Sequence, residues 1–465
     1  MKLGRIIENT GAAILFGTPE TEIKAICSDS RKAAAGSLFI AVKGFASDGH
    51  DYIDAAKAQG ASAVVSADRR ALALLACNFY DNPSRKLKLV GITGTNGKTT
   101  TVTLLYRLFR SLGYECGLLS TIANYVGNRR SDTANTTADP ITINSLMSEM
   151  VQAGCEYCFM EVSSIGVEQE RVSGLDFNVG IFSNLTHDHL DYHKTFAEYL
   201  RCKKLFFDNL SPYACAITNI DDRNGSVMVQ NTKARVATIS CRTAADHCCR
   251  IMEKGFDGML LKLDGTEVWT RLTGTYNAYN ILSIYSAAVE LGAPKDEVLV
   301  ALSKLESAPG RFEVLSGPRE ISVVIDYAHT PDALENVLNT LRDVAPEKEL
   351  ICLFGCGGDR DRTKRPEMGK VAEALADKLV VTSDNSRTEK TEDIMEDIRA
   401  GLSPKAKAVF IADRREAIRS AIMMAPDGAA ILLAGKGHET YQIIGTEHRH
   451  FDEREIVKEV FETME

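Results

Sequence analysis

Short apolar runs alternate with longer amphipathic stretches along the last third of the chain. The stretches between the runs predict helices from Pro331, from Arg365, around Ile394 and from Arg414. The apolar runs predict five strands: ISVVIDY (321–327), ELICLFG (349–355), KLVVTSD (378–384), AVFIA (408–412) and AAILLAG (429–435). Strict alternation of strands and helices with short connections is typical of a doubly wound parallel sheet.

Three loops rich in charge and glycine follow strands of this predicted sheet. They are GCGGDRD (355–361), TSDNSRTEK (382–390) and GKGHE (435–439). Most polar loops are solvated turns, but ligands of parallel sheets bind beyond the carboxyl ends of the strands. Because all three loops should open on that edge, their position favours a ligand site over ordinary turns.

Two further blocks precede this one. Residues 1–87 alternate short strands with Ala-rich helices, as in SLFIAV (37–42) followed by DYIDAAKAQGASAVVSA (51–67). Residues 88–314 contain apolar runs such as VGIFSNL (179–185) and ACAITNI (214–220), which are typical of a buried, mainly parallel sheet. We therefore predict an α/β protein of three domains, at 1–87, 88–314 and 315–465.

Composition narrows the class of protein. The 465 residues are 45% hydrophobic and 25% charged, as in soluble globular proteins, and the net charge of −9 argues against a nucleic-acid surface. The negative net charge does not exclude small anionic ligands, which are bound by local donors. No segment approaches the roughly 18 apolar residues of a membrane span. We expect a cytoplasmic protein without membrane insertion.

The stretch GITGTNGKTT (91–100) joins an apolar strand to a helix, as a phosphate-binding loop does. Glycines let backbone N–H groups approach the phosphates, Lys98 supplies positive charge, and the Thr99 hydroxyl suits Mg²⁺. Ile92 stands where the usual pattern has its first glycine. The residues predicted to bind nucleotide phosphate are Gly94, Thr95, Asn96, Gly97, Lys98, Thr99 and Thr100.

Such a loop is compatible with hydrolysis, transfer to a hydroxyl, or activation of a carboxylate. Two further features favour the third use. Glu161 ends the apolar run CFMEV, where an acid could hold magnesium near the phosphates. The stretch SNLTHDHLDYH (183–193) concentrates three histidines and two aspartates after another strand, which predicts an ion or substrate site. Neither a partner cysteine nor an HExxH pattern supports zinc.

Seven motifs in this order resemble the Mur ligases of peptidoglycan synthesis. They are GTNGKTT, EVSS, SNLTHDHLDYH, YNAYNILSIYSAA, APGRFE, DYAHTPDAL and GKGHETYQ. The resemblance runs from SDSRKAAAGSLFIAVKGFASDGHDYI (28–53) to GKGHETYQIIG (435–445). It implies a uridine-nucleotide-binding domain, a central ATPase domain and a C-terminal Rossmann-like domain that holds the incoming amino acid.

Within that family the chain resembles the ligases that add the third residue of the peptide. These enzymes use ATP and Mg²⁺ to activate the D-glutamate carboxylate of UDP-N-acetylmuramoyl-L-alanyl-D-glutamate as an acyl phosphate. The amine of an amino acid then attacks, giving an amide, ADP and phosphate. The resemblance to folylpolyglutamate and cyanophycin-type ligases is a weaker alternative, and a P-loop hydrolase or nucleotide-gated binding protein is an alternative from another class. We expect a monomer.

The resemblance also implies roles for individual residues, although any one of them could serve local structure, as Asn277 would by capping a helix. The implied uridine contacts are Ser28, Ser30, Phe45, Ala46 and Ser47. The implied muramoyl-dipeptide contacts are Asn135, Thr136, Thr137, Ser163, Gln169 and Arg171. The implied ATP contacts are Asn277, Asn280, Arg311 and Asp326, and the implied metal-associated positions are Thr99, Glu161, His189 and Lys203. The implied catalytic residues are Lys98, Glu161, His189 and Lys203, with Lys203 carried as a carbamate.

The loop at 382–390 bears on which amino acid is added. The family carries Asp-Asn-Pro-Arg there when the substrate is meso-diaminopimelate, and its arginine holds the distal carboxylate. This chain has Asp384, Asn385 and Arg387, with Ser386 in place of proline. The remaining implied diaminopimelate contacts are Arg360, Gly435 and Glu439. We expect meso-diaminopimelate, with L-lysine or relaxed specificity as the alternative, because loss of proline removes a restraint on the backbone.

Overall fold

The computed structural model describes residues 1–44, 47–186 and 190–464. In this part of the chain three large sheets follow one another along the sequence, each flanked by helices, and a two-stranded hairpin follows the third. The predicted three-domain α/β architecture is confirmed. The exact boundaries stay a prediction, and the first strand of the third sheet begins at Glu313, two residues before the expected boundary at 315.

The N-terminal sheet has four strands in the order β1-β4-β3-β2, and only β1 runs antiparallel to its neighbour. Its elements are α1 (Leu3–Ile6), β1 (Ala13–Phe16), β2 (Ala25–Cys27), β3 (Ser37–Val42), α2 (Ile53–Ala58), β4 (Ala63–Ala67) and α3 (Arg69–Phe79). Leu38, Phe39, Ile40 and Ala41 of β3 are buried and Val42 is half-buried, in agreement with the apolar run SLFIAV.

The central domain begins with β5 (Lys88–Thr93) and α4 (Lys98–Ser111). Its further elements are β6 (Cys116–Leu119), β7 (Asn124–Val126), β8 (Arg129–Ser131), α5 (Pro140–Gln152), β9 (Tyr157–Glu161), α6 (Ser164–Glu168), β10 (Val179–Phe182), α7 (Leu190–His193), α8 (Phe196–Asp208), β11 (Cys215–Asn219), α9 (Gly225–Met228), β12 (Arg235–Ser240), β13 (His247–Gly255), β14 (Gly258–Leu263), β15 (Thr266–Thr270), α10 (Thr275–Glu290) and α11 (Lys295–Leu302).

These strands form one sheet in the order β15-β14-β13-β12-β11-β10-β5-β9-β6-β7-β8. The middle of the sheet, from β13 to β6, is parallel, and both of its ends are antiparallel. Strand β5 lies between β10 and β9, so the loop that follows it opens at the centre of the parallel edge.

The C-terminal domain contains the predicted alternation of strands and helices. Its elements are β16 (Glu313–Ser316), β17 (Ser322–Asp326), α12 (Pro331–Val344), β18 (Leu350–Phe354), α13 (Lys364–Leu375), β19 (Lys378–Val381), α14 (Thr391–Arg399), β20 (Ala408–Phe410), α15 (Arg414–Met423), β21 (Ala430–Ala434), β22 (Tyr441–Ile444), β23 (Glu447–His450) and α16 (Glu453–Glu462). The sheet order is β16-β17-β21-β18-β19-β20, and β22 pairs with β23 in a separate hairpin.

Both faces of this C-terminal sheet are covered. Along β18, Leu350, Cys352 and Phe354 pack into one apolar cluster, whereas Ile351 and Leu353 pack into another. This explains why the strand reads as an unbroken apolar run rather than as an alternating pattern. The pattern did not predict antiparallel β16, the half-polar hairpin β22–β23, or α16. No described helix is long and apolar enough to cross a membrane.

Candidate active site

The loop between β5 and α4 requires glycine at two positions. Gly97 has φ = +89°, which side-chain-bearing residues rarely adopt. A Cβ at Gly94 would overlap the Ser183 hydroxyl, and one at Gly97 would overlap the Asn280 side chain. Only glycine fits at either position, so neighbouring strands and helix α10 fix the course of the loop.

Two lysines converge on this loop. Lys98 Nζ donates to the carbonyls of Gly94 and Thr95 at 2.9 and 2.8 Å, and Lys203 Nζ donates to the Gly94 carbonyl at 2.8 Å. Lys203 is buried on helix α8, and its ammonium lies 4.7 Å from the centre of the Tyr199 ring. The sequence therefore places two cationic groups where anionic phosphates would approach the loop.

The residues predicted to associate with metal are only partly described. Thr99 Oγ1 donates to Glu161 Oε2 at 3.0 Å, and Glu161 Oε1 accepts from the Thr121 backbone N–H at 2.8 Å. Glu161 is buried at the end of β9. His189 lies outside the described residues, as does most of the predicted site in the stretch 183–193. Among the described residues, no group of three or more His, Cys, Asp and Glu is arranged to hold a metal ion.

A cavity of about 290 Å³ lies between the central and C-terminal domains. The predicted nucleotide residues that line it are Asn96, Gly97, Thr100, Asn280, Arg311 and Asp326. Asn277 lies behind the wall instead: it accepts from Asn280 Nδ2 at 3.0 Å and donates to the Thr273 carbonyl at 2.8 Å. In this structure Asn277 orients Asn280.

Asp326 is held by backbone donors at the end of β17. Its carboxylate accepts from the N–H groups of Phe312 and Ala328 at 2.7 and 2.8 Å. Burial raises the pKa of Asp326, against the opposing effect of Arg311. The guanidinium of Arg311 lies 4.8 Å from the centre of the Tyr327 ring and donates to Thr99 Oγ1 at 3.3 Å.

Asp332, on α12, was not singled out from the sequence although it lies within the motif DYAHTPDAL. It accepts from Asn96 Nδ2 at 2.6 Å and from Thr186 Oγ1 at 3.2 Å. Burial raises the pKa of Asp332 above that of an ordinary carboxyl group. This carboxylate connects the phosphate loop of the central domain to the C-terminal domain.

A second cavity, of about 260 Å³, adjoins the first and shares Asn96, Gly97, Thr100 and Arg311 with it. Its wall brings the phosphate loop together with residues implied to contact the muramoyl-dipeptide. The further predicted residues in this wall are Glu161, Lys203, Asn135, Thr136, Thr137, Ser163 and Arg171.

A third cavity, of about 730 Å³, lies against the N-terminal domain and shares Asn135 and Arg171 with the second. The predicted residues that line it are Ser28, Ser30, Ser47, Asn135, Gln169 and Arg171. Arg171 donates to the Thr137 carbonyl at 2.6 Å and to Gln169 Oε1. Phe45 and Ala46 lie outside the described residues. The three cavities therefore form a series with shared walls, and the phosphate loop lies in the middle.

The three C-terminal loops lie together at the carboxyl edge of the sheet, as predicted. Asn385 Nδ2 donates to Glu439 Oε2 at 2.9 Å. A Cβ at Gly357 would lie 3.0 Å from Arg387 Nη1 and 3.7 Å from Arg360 Cγ, so the two arginines flank this glycine. A Cβ at Gly435 would lie 2.6 Å from Asp384 Oδ2. Each of these residues, predicted to contact the incoming amino acid, thus lies beside another residue of the same predicted site.

Lys436, which sequence reasoning did not single out, is buried beneath these loops. Its Nζ donates to Asn385 Oδ1 at 3.1 Å and to Glu439 Oε2 at 3.0 Å. Burial opposes ionisation of Asp384, but Lys436 and Arg414 hold the pKa of that carboxyl below its ordinary value. The position of Lys436 within the motif GKGHE is the sequence feature that could have identified it.

The hairpin β22–β23 fixes the backbone of Arg387. The Arg387 N–H donates to the Ile443 carbonyl at 3.2 Å, and the Gly445 N–H donates to the Arg387 carbonyl at 2.8 Å. The side chain donates to the Gly358 carbonyl at 2.8 Å. Ser386, where the family pattern has proline, is buried, and its hydroxyl lies 2.6 Å from that of Thr391. Long-range hydrogen bonds therefore supply restraint that proline would give locally.

Three family models match consecutive parts of the chain. They are "Mur ligase family, catalytic domain" at residues 22–90, "Mur ligase middle domain" at 92–288 and "Mur ligase, glutamate ligase domain" at 310–437. Together they span most of the sequence, and their order follows that of the three large sheets.

Similar curated proteins include the UDP-N-acetylmuramoyl-L-alanyl-D-glutamate--2,6-diaminopimelate ligases of Parabacteroides distasonis and Cytophaga hutchinsonii. They are 48% and 47% identical to this chain, and each alignment covers 100% of both proteins. A solved structure of a ligase with that name is 30% identical, with a TM-score of 0.72 over 100% of this chain and 99% of the other. The MurF ligase from Thermotoga maritima is 19% identical, with a TM-score of 0.66 over 95% of this chain and 97% of the other, and shares the fold. The chain belongs to the Mur ligase family.

Proposed function

We propose that this chain is an ATP-dependent ligase that joins meso-2,6-diaminopimelate to the D-glutamate of UDP-N-acetylmuramoyl-L-alanyl-D-glutamate in the cytoplasm. The observation that carries this proposal is the series of three cavities with shared walls, because it would bring a nucleotide phosphate and a substrate carboxylate together at one loop. The names of the similar proteins supply the identity of the two substrates.

The chemistry of the site suits activation of a carboxylate. A carboxylate is a poor electrophile, and its approach to the terminal phosphate of ATP brings two anions together. Lys98 and Arg311 line the second cavity and would offset this repulsion. The carboxylate would attack the terminal phosphorus, and ADP would leave. The amine would then attack the acyl carbon and expel phosphate.

The donor set fits Mg²⁺ with few protein ligands. Thr99 and Glu161 present a hydroxyl and a buried carboxylate 3.0 Å apart beside the phosphate loop, and Mg²⁺ prefers oxygen ligands together with water and substrate phosphates. When bound, the ion would neutralise charge on the phosphates. His189 remains a predicted metal-associated residue.

A carbamate on Lys203 would add an anionic oxygen group to the cavity wall that also contains Glu161. Lys203→Ala should therefore lower turnover far more than Lys204→Ala, whose side chain pairs with Asp208 at 2.5 Å outside the cavity. Partial recovery of the Lys203→Ala variant by added short-chain carboxylic acids would support the carbamate. Equal losses in the two variants would argue against any role for Lys203.

The C-terminal loops support diaminopimelate over L-lysine. Arg387 and Arg360 flank one glycine and would face the distal carboxylate, while Glu439 would accept from the distal ammonium. L-Lysine has no such carboxylate and would leave the arginines beside another cation. A charge-assisted hydrogen bond contributes roughly 1.5 to 3 kcal/mol, which corresponds to about 10- to 100-fold preference.

The test is product formation from ATP, Mg²⁺ and UDP-N-acetylmuramoyl-L-alanyl-D-glutamate with either diaminopimelate or L-lysine. We expect amide product and ADP only when all components are present, with diaminopimelate preferred. A matched substrate that lacks the D-glutamate should give no product. Phosphate release without an amino acid would indicate a hydrolase, and equal use of both amino acids would contradict the specificity.

A further inference from the structure

Arg414 is fully buried at the start of helix α15, beneath the carboxyl edge of the C-terminal sheet. Its guanidinium donates to three groups: Nε to Glu453 Oε1 at 2.8 Å, Nη1 to the Ser383 carbonyl at 2.9 Å, and Nη2 to the Ala434 carbonyl at 2.8 Å. Glu453, at the start of α16, is also fully buried. Sequence reasoning had treated Arg414 only as the start of a helix.

The two carbonyls lie where two different strands lead into loops of the edge. Ser383 directly precedes Asp384, and Ala434 directly precedes Gly435. Strands β19 and β21 are not neighbours in the sheet, because β18 lies between them and pairs with both. Within the described residues, Arg414 therefore joins by side-chain hydrogen bonds two strand ends that the backbone ladder does not join directly.

We propose that Arg414, oriented by Glu453, is a positioning residue for amino-acid selection. It fixes the separation between the loop that carries Arg387 and the loop that carries Glu439. This inference rests on the proposed function, in which Arg387 meets the distal carboxylate and Glu439 the distal ammonium. Those two groups share one carbon of diaminopimelate, so their recognition depends on the distance between the loops.

The chemistry of the contact favours positioning over plain stabilisation. A buried ion pair can often be replaced by apolar side chains without loss of stability. Glu453 Oε2 is also buried without a hydrogen-bond partner among the described residues, which a purely stabilising contact would avoid. A planar guanidinium reaches three acceptors in fixed directions, whereas the compact ammonium of lysine cannot reproduce this fork.

The chain offers a matched control. Arg415 is the next residue of α15, and it pairs with Glu459 of α16 at 2.5 Å on the surface. This pair joins the same two helices as Arg414 and Glu453. Arg415→Lys therefore changes the same residue type at the same helix contact without touching the strand ends.

The experiment compares Arg414→Lys, Glu453→Gln, Arg415→Lys and Arg387→Ala in the ligase assay, with a thermal melt of each variant. For Arg414→Lys we expect about a 10-fold rise in KM for diaminopimelate and a reduced preference over L-lysine, with KM for ATP within about twofold of the parent. Glu453→Gln should change the same constants in the same direction by less. Arg415→Lys should match the parent.

The other outcomes would contradict either the positioning role of Arg414 or the proposed amino-acid site. A lower melting temperature with an unchanged KM for diaminopimelate in both Arg414→Lys and Glu453→Gln would overturn the inference. Loss of folding in both variants would also overturn it, because it would assign the pair to domain stability. If Arg387→Ala raises this KM but Arg414→Lys does not, only the positioning role fails. If Arg387→Ala leaves it unchanged, the proposed amino-acid site itself fails.

Discussion

The phosphate loop and the C-terminal loop edge both follow parallel strands, yet they are built in different ways. The phosphate loop is one contiguous segment, residues 94–100, whose glycines and backbone shape its surface. The C-terminal edge takes side chains from three loops spread over residues 355–439 and ties them with the buried cations Arg365, Arg414 and Lys436. Under the proposed function, the phosphate site is built mainly from one segment, whereas discrimination between amino acids depends on side chains from distant segments.

Arg365 illustrates the second mode of construction. It is fully buried and forms a bidentate pair with Glu389 at 2.8 and 2.9 Å, while also donating to Asp397 and to the Gly357 carbonyl. It therefore connects the loop of Arg360 to the loop of Arg387. A single side chain thus holds these two loops together.

The largest effect is expected at the phosphate loop. Lys98→Ala should lower kcat by about 10²- to 10³-fold, because a preorganised cation at the phosphates is lost. Since the loop serves any acceptor, the loss should be equal with diaminopimelate and L-lysine, as measured by ADP release. Lys88→Ala, at the start of strand β5, which leads into the loop, should retain activity. A loss confined to one amino acid would contradict the division between the two regions.

Arg387→Ala should raise KM for diaminopimelate by about 10- to 100-fold, because a charge-assisted contact with the distal carboxylate is removed. KM for ATP should stay close to that of the parent, as measured by initial rates with each substrate varied. Arg449→Ala is the control, since this arginine lies on the exposed hairpin and pairs with Glu447. An unchanged KM for diaminopimelate would mean that Arg387 does not face the substrate.

Glu389→Gln should have a smaller effect, on the melting temperature, and this effect should depend on pH. Its hydrogen bonds with Arg365 lower the pKa of Glu389 from 4.5 to about 2. A carboxyl group with a depressed pKa stabilises the folded state above its unfolded pKa and loses that contribution as pH falls through its folded pKa. The variant should melt below the parent at pH 7, and the difference should narrow as the pH falls below 4.5.

The control for this measurement is Glu392→Gln, an exposed position in the first turn of α14. Thermal melts of both variants across pH 3.5 to 7 test the prediction. A difference for Glu389→Gln that stays constant over this range would show that its charge is not what stabilises the loop.

The smallest effect is expected for Ser386→Pro, which restores the family pattern. Because Asn385, Arg387 and Gly445 already hold the loop through long-range hydrogen bonds, the preference for diaminopimelate over L-lysine should change by less than about threefold. Competition between the two amino acids in one assay gives this ratio directly. A much larger gain in preference would show that the loop of the parent is loose.

The features that could be predicted from the sequence are those that depend on local contacts, whereas contacts between distant residues could not be predicted. The phosphate loop and the alternation of strands and helices from residue 321 were predicted because each depends on neighbouring residues. The pairing of Lys436 with Asn385, 51 residues away, was not predicted, because the sequence near either residue does not indicate its partner. Asn277 was predicted from its motif to lie near ATP; in this structure it hydrogen-bonds to Asn280 and does not line the first cavity, so its contact with ATP stays a prediction.

Arg387 has φ = +50°, in the left-handed region that costs a residue with a side chain about 1 kcal/mol relative to glycine. Glycine or asparagine would relieve this strain but would remove the cation from the loop edge. If Arg387 meets the distal carboxylate as proposed, stability and substrate selection oppose each other at this position. Under the proposed role of Arg387, replacing it with glycine would therefore raise the stability of the fold while weakening the preference for diaminopimelate.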